Sequence, residues 1–190
     1  MPARTPAARC RGRHARSLRR VAGLLAGLAA VGTALAQAPA CKVLTEEHGL
    51  WALPGCEVVD GRPRIAADSL AHLPFDAHGL AAVYAADSFH YVTRDGRSQA
   101  VLTWDSGPDY VEDGLLRGRI GQRVGYFTAA LEQAFPATFD FAWPFADGIA
   151  RVCNGCRPGT PDGEGHTPVE GGHWFHINRQ GIAVPEPPTP

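Results

Sequence analysis

The chain has 190 residues, 45% of them hydrophobic and 19% charged, with 18 Lys and Arg against 19 Asp and Glu, the composition of an ordinary globular domain rather than of a disordered or fibrous chain. That length leaves no room for a large multidomain enzyme. The formal net charge of −1 hides an asymmetry: Arg4, Arg9, Arg11, Arg13, Arg16, Arg19 and Arg20 lie in the first twenty positions, and without them 11 basic residues face 19 acidic ones, a net charge of −8. So acidic a body repels phosphates, which argues against non-specific binding to nucleic acid or to an anionic membrane surface.

The N-terminus has the parts of an export signal: the Arg-rich start, an apolar run from Val21 to Ala36, and the small-x-small pattern Ala34-Leu35-Ala36. Cleavage is expected after Ala36, because a cut after Ala38 would leave Pro39 next to the scissile bond. The apolar run of sixteen residues, rich in Gly and Ala, falls short of the roughly 20 strongly apolar residues that span a bilayer. Residues 1–36 are therefore read as a signal peptide, and the mature chain, starting at Gln37, as a periplasmic or secreted bacterial protein with no integral membrane segment. Arg19-Arg20 leaves the Sec and twin-arginine routes both open.

Cys10 departs with the signal, which leaves Cys41, Cys56, Cys153 and Cys156. An even count in an exported chain implies disulfides. Four cysteines allow three connectivities, and local spacing favours Cys41 with Cys56 and Cys153 with Cys156. Between the second pair lies Asn154-Gly155, a strong hairpin-turn signal, so the two Cα atoms are expected within about 7 Å of each other, inside disulfide range. The pair Cys41 and Cys56 closes an N-terminal segment over 37–57.

From there the chain is organised by a period. His78-Gly79-Leu80-Ala81-Ala82-Val83, Glu112-Asp113-Gly114-Leu115-Leu116-Arg117 and Ala146-Asp147-Gly148-Ile149-Ala150-Arg151-Val152 look alike, and their glycines are 35 and 34 residues apart. A second series, Asp60-Gly61, Asp95-Gly96 and Gln180-Gly181, falls between and after them. Short β-branched or alternating runs such as Tyr91-Val92-Thr93 and Val124-Gly125-Tyr126-Phe127-Thr128 end in turn residues, and no window carries a convincing amphipathic helix. Self-similarity of this kind marks a repeat architecture in which one supersecondary unit stacks on the next.

The units resemble the bacterial WG (or KWG) repeat. Phe145-Ala146-Asp147-Gly148-Ile149-Ala150-Arg151-Val152 and Trp174-Phe175-His176-Ile177-Asn178-Arg179-Gln180-Gly181-Ile182-Ala183-Val184-Pro185 match it best. The naming dipeptide survives nowhere whole; its three positions read Phe89-His90, Val124-Gly125 and Trp174-Phe175. The resemblance implies an all-β fold, a repetitive antiparallel array of about three hairpin units over residues 58–185, ending in a Pro-rich tail at 186–190. It brings no catalytic residues and no cofactor.

The third copy differs. Gly79 to Tyr91 and Gly114 to Tyr126 are each 12 residues, whereas Gly148 to His176 is 28, an insertion of 16. The extra residues fall within 153–172, a stretch rich in Gly and Pro that reads as an exposed loop pinned by its cysteines, and loops interrupting a regular scaffold often carry function. Asn154, Arg157, His166 and His173 are its candidate contact residues. Cys153-x-x-Cys156 with His166, His173 and His176 also admits a metal or thiol-redox reading. A redox motif, however, belongs at a helix N-terminus, and His173 and His176, three apart on a strand, point to opposite faces.

Among the remaining features, Trp51, Phe75, Trp104, Tyr110, Phe139, Phe141, Trp143 and Phe145 either fill a thin β core or line a carbohydrate or peptide groove. No Gly-x-Ser-x-Gly elbow or phosphate-binding glycine loop occurs. The sequence thus points to a non-catalytic binding module for an unidentified protein or envelope ligand, with no cofactor, and with a metal or redox protein centred on the insert as the alternative.

Overall fold

The computed structural model describes residues 40–186; the expected export signal, its expected cleavage site and residues 187–190 of the tail lie outside the described residues. In chain order come strands β1 (Cys41–Thr45), β2 (Gly49–Ala52), β3 (Cys56–Val59) and β4 (Arg62–Ile65), and the short helix α1 (Ala67–Ala71). Then follow β5 (Leu80–Ala85), β6 (Ser88–Thr93), β7 (Ser98–Ala100), β8 (Thr103–Trp104), β9 (Gly107–Pro108), β10 (Leu115–Ile120) and β11 (Arg123–Thr128). The last four are β12 (Phe141–Ala142), β13 (Ile149–Pro158), β14 (Val169–Asn178) and β15 (Ala183–Val184). The fold is all-β, and among the described residues no helix is long and apolar enough to cross a membrane.

Every strand pair is antiparallel. One sheet runs β2-β1-β5-β6-β7, a second is β10-β11, and a third runs β12-β13-β14-β15. Single bridges join them: Val101, just past β7, pairs with Gly118 of β10, and Phe139, just before β12, pairs with Val124 of β11. Neighbouring strands therefore follow one another from β2 to β15 in a single succession, with β3-β4 and β8-β9 as small side hairpins.

Three hairpins restart at Leu80, Leu115 and Ile149, the positions that follow the periodic glycines. Their first strands begin after turns in which Asp113-Gly114 and Asp147-Gly148 both take positive φ, the conformation a two-residue type I′ turn demands. Their second strands end in one shared turn, whose first residue donates its amide to the carbonyl four positions on: Thr93 to Arg97, Thr128 to Glu132 and Asn178 to Ile182, each at 2.9 Å. At the fourth position φ is positive in all three, held by Gly96, Leu131 and Gly181. Two hairpins also share a buried anchor: the Tyr91 hydroxyl donates to the Asp109 carbonyl at 2.6 Å and the Tyr126 hydroxyl to the Trp143 carbonyl at 2.5 Å. Burial, with Asp76 and Asp109 adding to it, pushes the Tyr91 hydroxyl up to about 12, so it stays a donor at any ordinary pH.

The core is strung along this succession rather than gathered at one point. Val43, Leu53, Val83 and Val92 pack at the N-terminal end, against the Cys41–Cys56 disulfide, whose Cα atoms are 5.9 Å apart. Leu80, Phe89, Tyr91, Leu116 and Phe127 fill the middle. Tyr126, Phe135, Phe139, Phe145, Val152 and Ile177 fill the C-terminal end, where Tyr126 packs edge-on against Phe145 at 4.7 Å between centroids. Each such aromatic, fully buried, contributes about 1.5–3 kcal/mol.

His90 is one of several polar residues within this interior, 1% exposed on β6 with its Nε2 3.1 Å from the Ser88 hydroxyl. Burial holds its imidazole below the ordinary 6.5; the Arg62 charge adds to this, and a backbone carbonyl at Ala85 opposes it. The folded protein then binds fewer protons at this site than the unfolded chain does, so its contribution is complete above 6.5 and is lost as pH falls towards the depressed folded value. Phe175 holds the equivalent place in the third hairpin. His90→Phe is expected to flatten the fall in urea midpoint between about pH 6.5 and pH 5; an unchanged slope would assign that fall to other groups.

Candidate functional site

The insertion is largely strand. β13 and β14 keep one register from Ile149↔Asn178 to Pro158↔Val169, and only residues 159–168 form the tip. The hairpin turn expected at Asn154-Gly155 is instead a kink within β13. Gly155 and Gly172 face each other there, both at positive φ, and they bend the ribbon enough to bring Cys153 and Cys156 to a Cα separation of 6.1 Å, joined as a disulfide. A strand of that length was not apparent because its glycines and prolines lower β propensity; pairing with a partner of equal length overrides that cost.

The kink is tied to the preceding hairpin. Arg123 donates through Nη1 to Asp140 Oδ1 at 2.7 Å and through Nη2 to Asn154 Oδ1 at 2.8 Å, while Asp140 Oδ2 accepts the Gly155 amide at 2.5 Å. Asn154 is therefore a fixed part of the scaffold. At the tip, Asp162 Oδ1 accepts the amides of Glu164 at 2.9 Å and His166 at 2.8 Å; these backbone donors, that of His166 foremost, hold its carboxyl below the usual range.

The faces of the third hairpin divide cleanly. Ala150, Val152 and Ile177 point into the core. The opposite face carries Arg151 and Trp174, with Phe141 of β12 pairing against Cys153 between them. Phe141 meets Trp174 at 5.9 Å and Trp143 at 5.3 Å between centroids, and Trp143 meets Trp104 of β8 at 5.6 Å. The result is an open aromatic cleft of about 730 Å³, flanked by the hairpin tip from His166 to Val169, within the volume range of small-molecule sites, about 300–1,000 Å³. Trp143 remains 39% exposed there.

Two arginines sit on tryptophan faces at its ends, and their surroundings differ. Arg117 lies 4.6 Å from the Trp104 centroid, is 1% exposed, and is paired with the equally buried Asp109. Both its Nε and Nη2 donate to that carboxylate, Nη1 donates to the Ala142 carbonyl at 2.9 Å, and its own backbone amide reaches Asp109 Oδ2 at 2.6 Å. Arg151 lies 4.6 Å from the Trp174 centroid and is exposed. Among the described residues no carboxylate stands within ion-pair distance of it.

Of the insert's candidate contact residues, His166 flanks the cleft. His173 stacks on Phe175 at 5.4 Å on the other face of β14, and Arg157 lies opposite Glu170 on the exposed ribbon. Among the described residues no three His, Cys, Asp or Glu side chains gather into a metal-holding group, and the Cys-x-x-Cys sulfurs are bonded to each other. Among the aromatics, Phe139 and Phe145 belong to the core, Trp104, Phe141 and Trp143 line the cleft, and Trp51 and Tyr110 stand exposed elsewhere. Arg151 and Trp174 complete the cleft without having stood out as site residues; alignment of Arg151 with Arg117 one period earlier is the signal that would have found it. No protein-family model matches the sequence, and neither the curated proteins nor the solved structures provide a significant match.

Proposed function

We propose that this chain is an exported, non-catalytic binding module built from three WG-like hairpin units, and that the aromatic cleft on the third unit is its contact surface. The observation that carries the reading is the cleft itself: tryptophan and phenylalanine rings left open to solvent on one sheet face, flanked by a 16-residue insertion that the two preceding units lack. A folded chain pays for exposed apolar surface unless that surface meets a partner. The restart of one hairpin at steps of 35 and 34 residues, its closing turn in all three units and its tyrosine anchor in the first two support a repeat origin, and two disulfides fit an oxidising compartment such as the periplasm or the cell exterior.

The test is differential retention. Immobilised mature protein and its Trp143→Ala, Trp174→Ala double variant, both verified as folded, are exposed to the soluble glycan, peptide and protein fractions of a bacterial envelope. A ligand retained by the native cleft and lost from the variant is the expected result. Equal retention by both would move the contact surface elsewhere, and chemical turnover of any retained ligand would overturn the non-catalytic reading.

A further inference from the structure

Arg117 and Arg151 occupy the same place in successive hairpins: Arg117 pairs across the hairpin with Tyr126, Arg151 with His176, and each guanidinium lies 4.6 Å from a tryptophan ring. The tyrosine anchors extend the equivalence, since Tyr91 bonds the carbonyl of Asp109 and Tyr126 bonds the carbonyl of Trp143. Where the second unit supplies Asp109 to neutralise Arg117, the third unit supplies Trp143. Arg151 has thus kept the position and the positive charge and rests on a tryptophan from a different place, Trp174 of β14, but its carboxylate has been replaced by a tryptophan that opens the cleft.

We propose, building on the binding-module reading, that the cleft binds an acidic glycan, a sugar ring of which stacks on the tryptophans while its carboxylate pairs with Arg151, in the role Asp109 plays for Arg117. The chemistry of the site matches such a ligand at each point. A uronic acid presents an apolar C–H face suited to an aromatic ring and a planar carboxylate suited to the guanidinium fork, and a guanidinium already resting on a ring face loses little freedom when it forms that pair. Charge complementarity is local: among the described residues Arg151 forms no ion pair, on a body with an excess of acidic residues, and Glu186, which lines a neighbouring pocket with it, stands beyond ion-pair distance. Strand addition is closed at Arg151 itself, whose carbonyl accepts the Trp143 amide while β14 covers its other side, but β14 pairs with β15 only at His176 and Ile177, so its edge from Val169 to Phe175 stays open to a peptide.

The experiment titrates the mature protein with short oligogalacturonate, oligomannuronate and hyaluronan fragments, with the methyl-esterified oligogalacturonate and with a proline-rich peptide, reading tryptophan fluorescence and heat. At least one acidic fragment is expected to bind, its uncharged ester about tenfold or more weaker, and Arg151→Gln is expected to weaken the acid by a similar factor and so to remove most of the difference between acid and ester. The ester comparison uses the native chain and so stands whatever the variant's stability. Equal affinity for acid and ester would overturn the role of Arg151. Binding of the peptide alone would overturn the glycan while leaving the binding module intact, and silence from all three acidic fragments would overturn the glycan as well, with differential retention on the native cleft still deciding the module reading separately.

Discussion

Asp109→Ala is expected to cost about 3–5 kcal/mol of stability, the range for breaking a buried ion pair by removing one partner. At 1% exposure Arg117 has no water to turn to: the truncation strips the acceptor from its Nε, from its Nη2 and from its backbone amide at once. The loss would spread, because the same guanidinium holds the Ala142 carbonyl and covers Trp104, and so joins β10 to both β8 and β12. Replacing both partners, Asp109→Leu with Arg117→Met, is expected to recover most of that loss, since the double change leaves no charge buried without a partner. Urea unfolding with the slope checked for constancy measures both; a single-variant loss under about 1 kcal/mol would mean that water reaches the pair.

Gly172→Ala should be nearly as damaging, at about 2–5 kcal/mol, from two separate sources. The backbone sits at a φ of +73°, where a Cβ costs roughly 1–2 kcal/mol. That Cβ would also lie 2.5 Å from the Cys153 sulfur, 2.5 Å from the Cys156 amide nitrogen and 2.8 Å from the Asn154 carbonyl oxygen, an overpacking of the kind that costs a further 1–3 kcal/mol or so. Gly148→Ala isolates the first source, because its φ is +80° but nothing lies within 4 Å of the added carbon; it is expected to lose only about 1–2 kcal/mol. Thermal unfolding of the two variants side by side separates conformation from crowding, and equal losses would show that the ribbon relaxes around position 172. Relief of the clash would also swing the hairpin tip, so ligand affinity at the cleft should fall in Gly172→Ala alone.

The strand-and-turn grammar of this chain was legible because it is local. Asp-Gly pairs at 113–114 and 147–148 have few conformations open to them other than a tight turn, and the runs between them alternate or branch at Cβ, so an all-β antiparallel arrangement followed from pattern alone. The pairing of Cys41 with Cys56 and of Cys153 with Cys156 was legible for the same reason. What escaped was whatever depended on a partner distant in sequence. Asn154-Gly155 signals a hairpin end when read by itself, and only Gly172, seventeen positions later and equally bent, allows the strand to run on through the kink. Arg117 reads as a surface residue until Asp109 and Trp104 close around it. The cleft was half visible: Trp104, Phe141 and Trp143 stood among the groove candidates beside Phe139 and Phe145, which are core, and one-dimensional spacing does not distinguish which ring of such a cluster turns outward.

Both disulfides join cysteines that are consecutive among the described residues, with separations of 15 and 3 residues. On the export reading proposed above, a chain emerging from a membrane pore N-terminus first would present Cys41 and Cys56 long before Cys153 and Cys156. An oxidase that simply joined thiols in order of appearance would therefore reach the native connectivity directly, with no wrong bond to reshuffle and no isomerase to wait for.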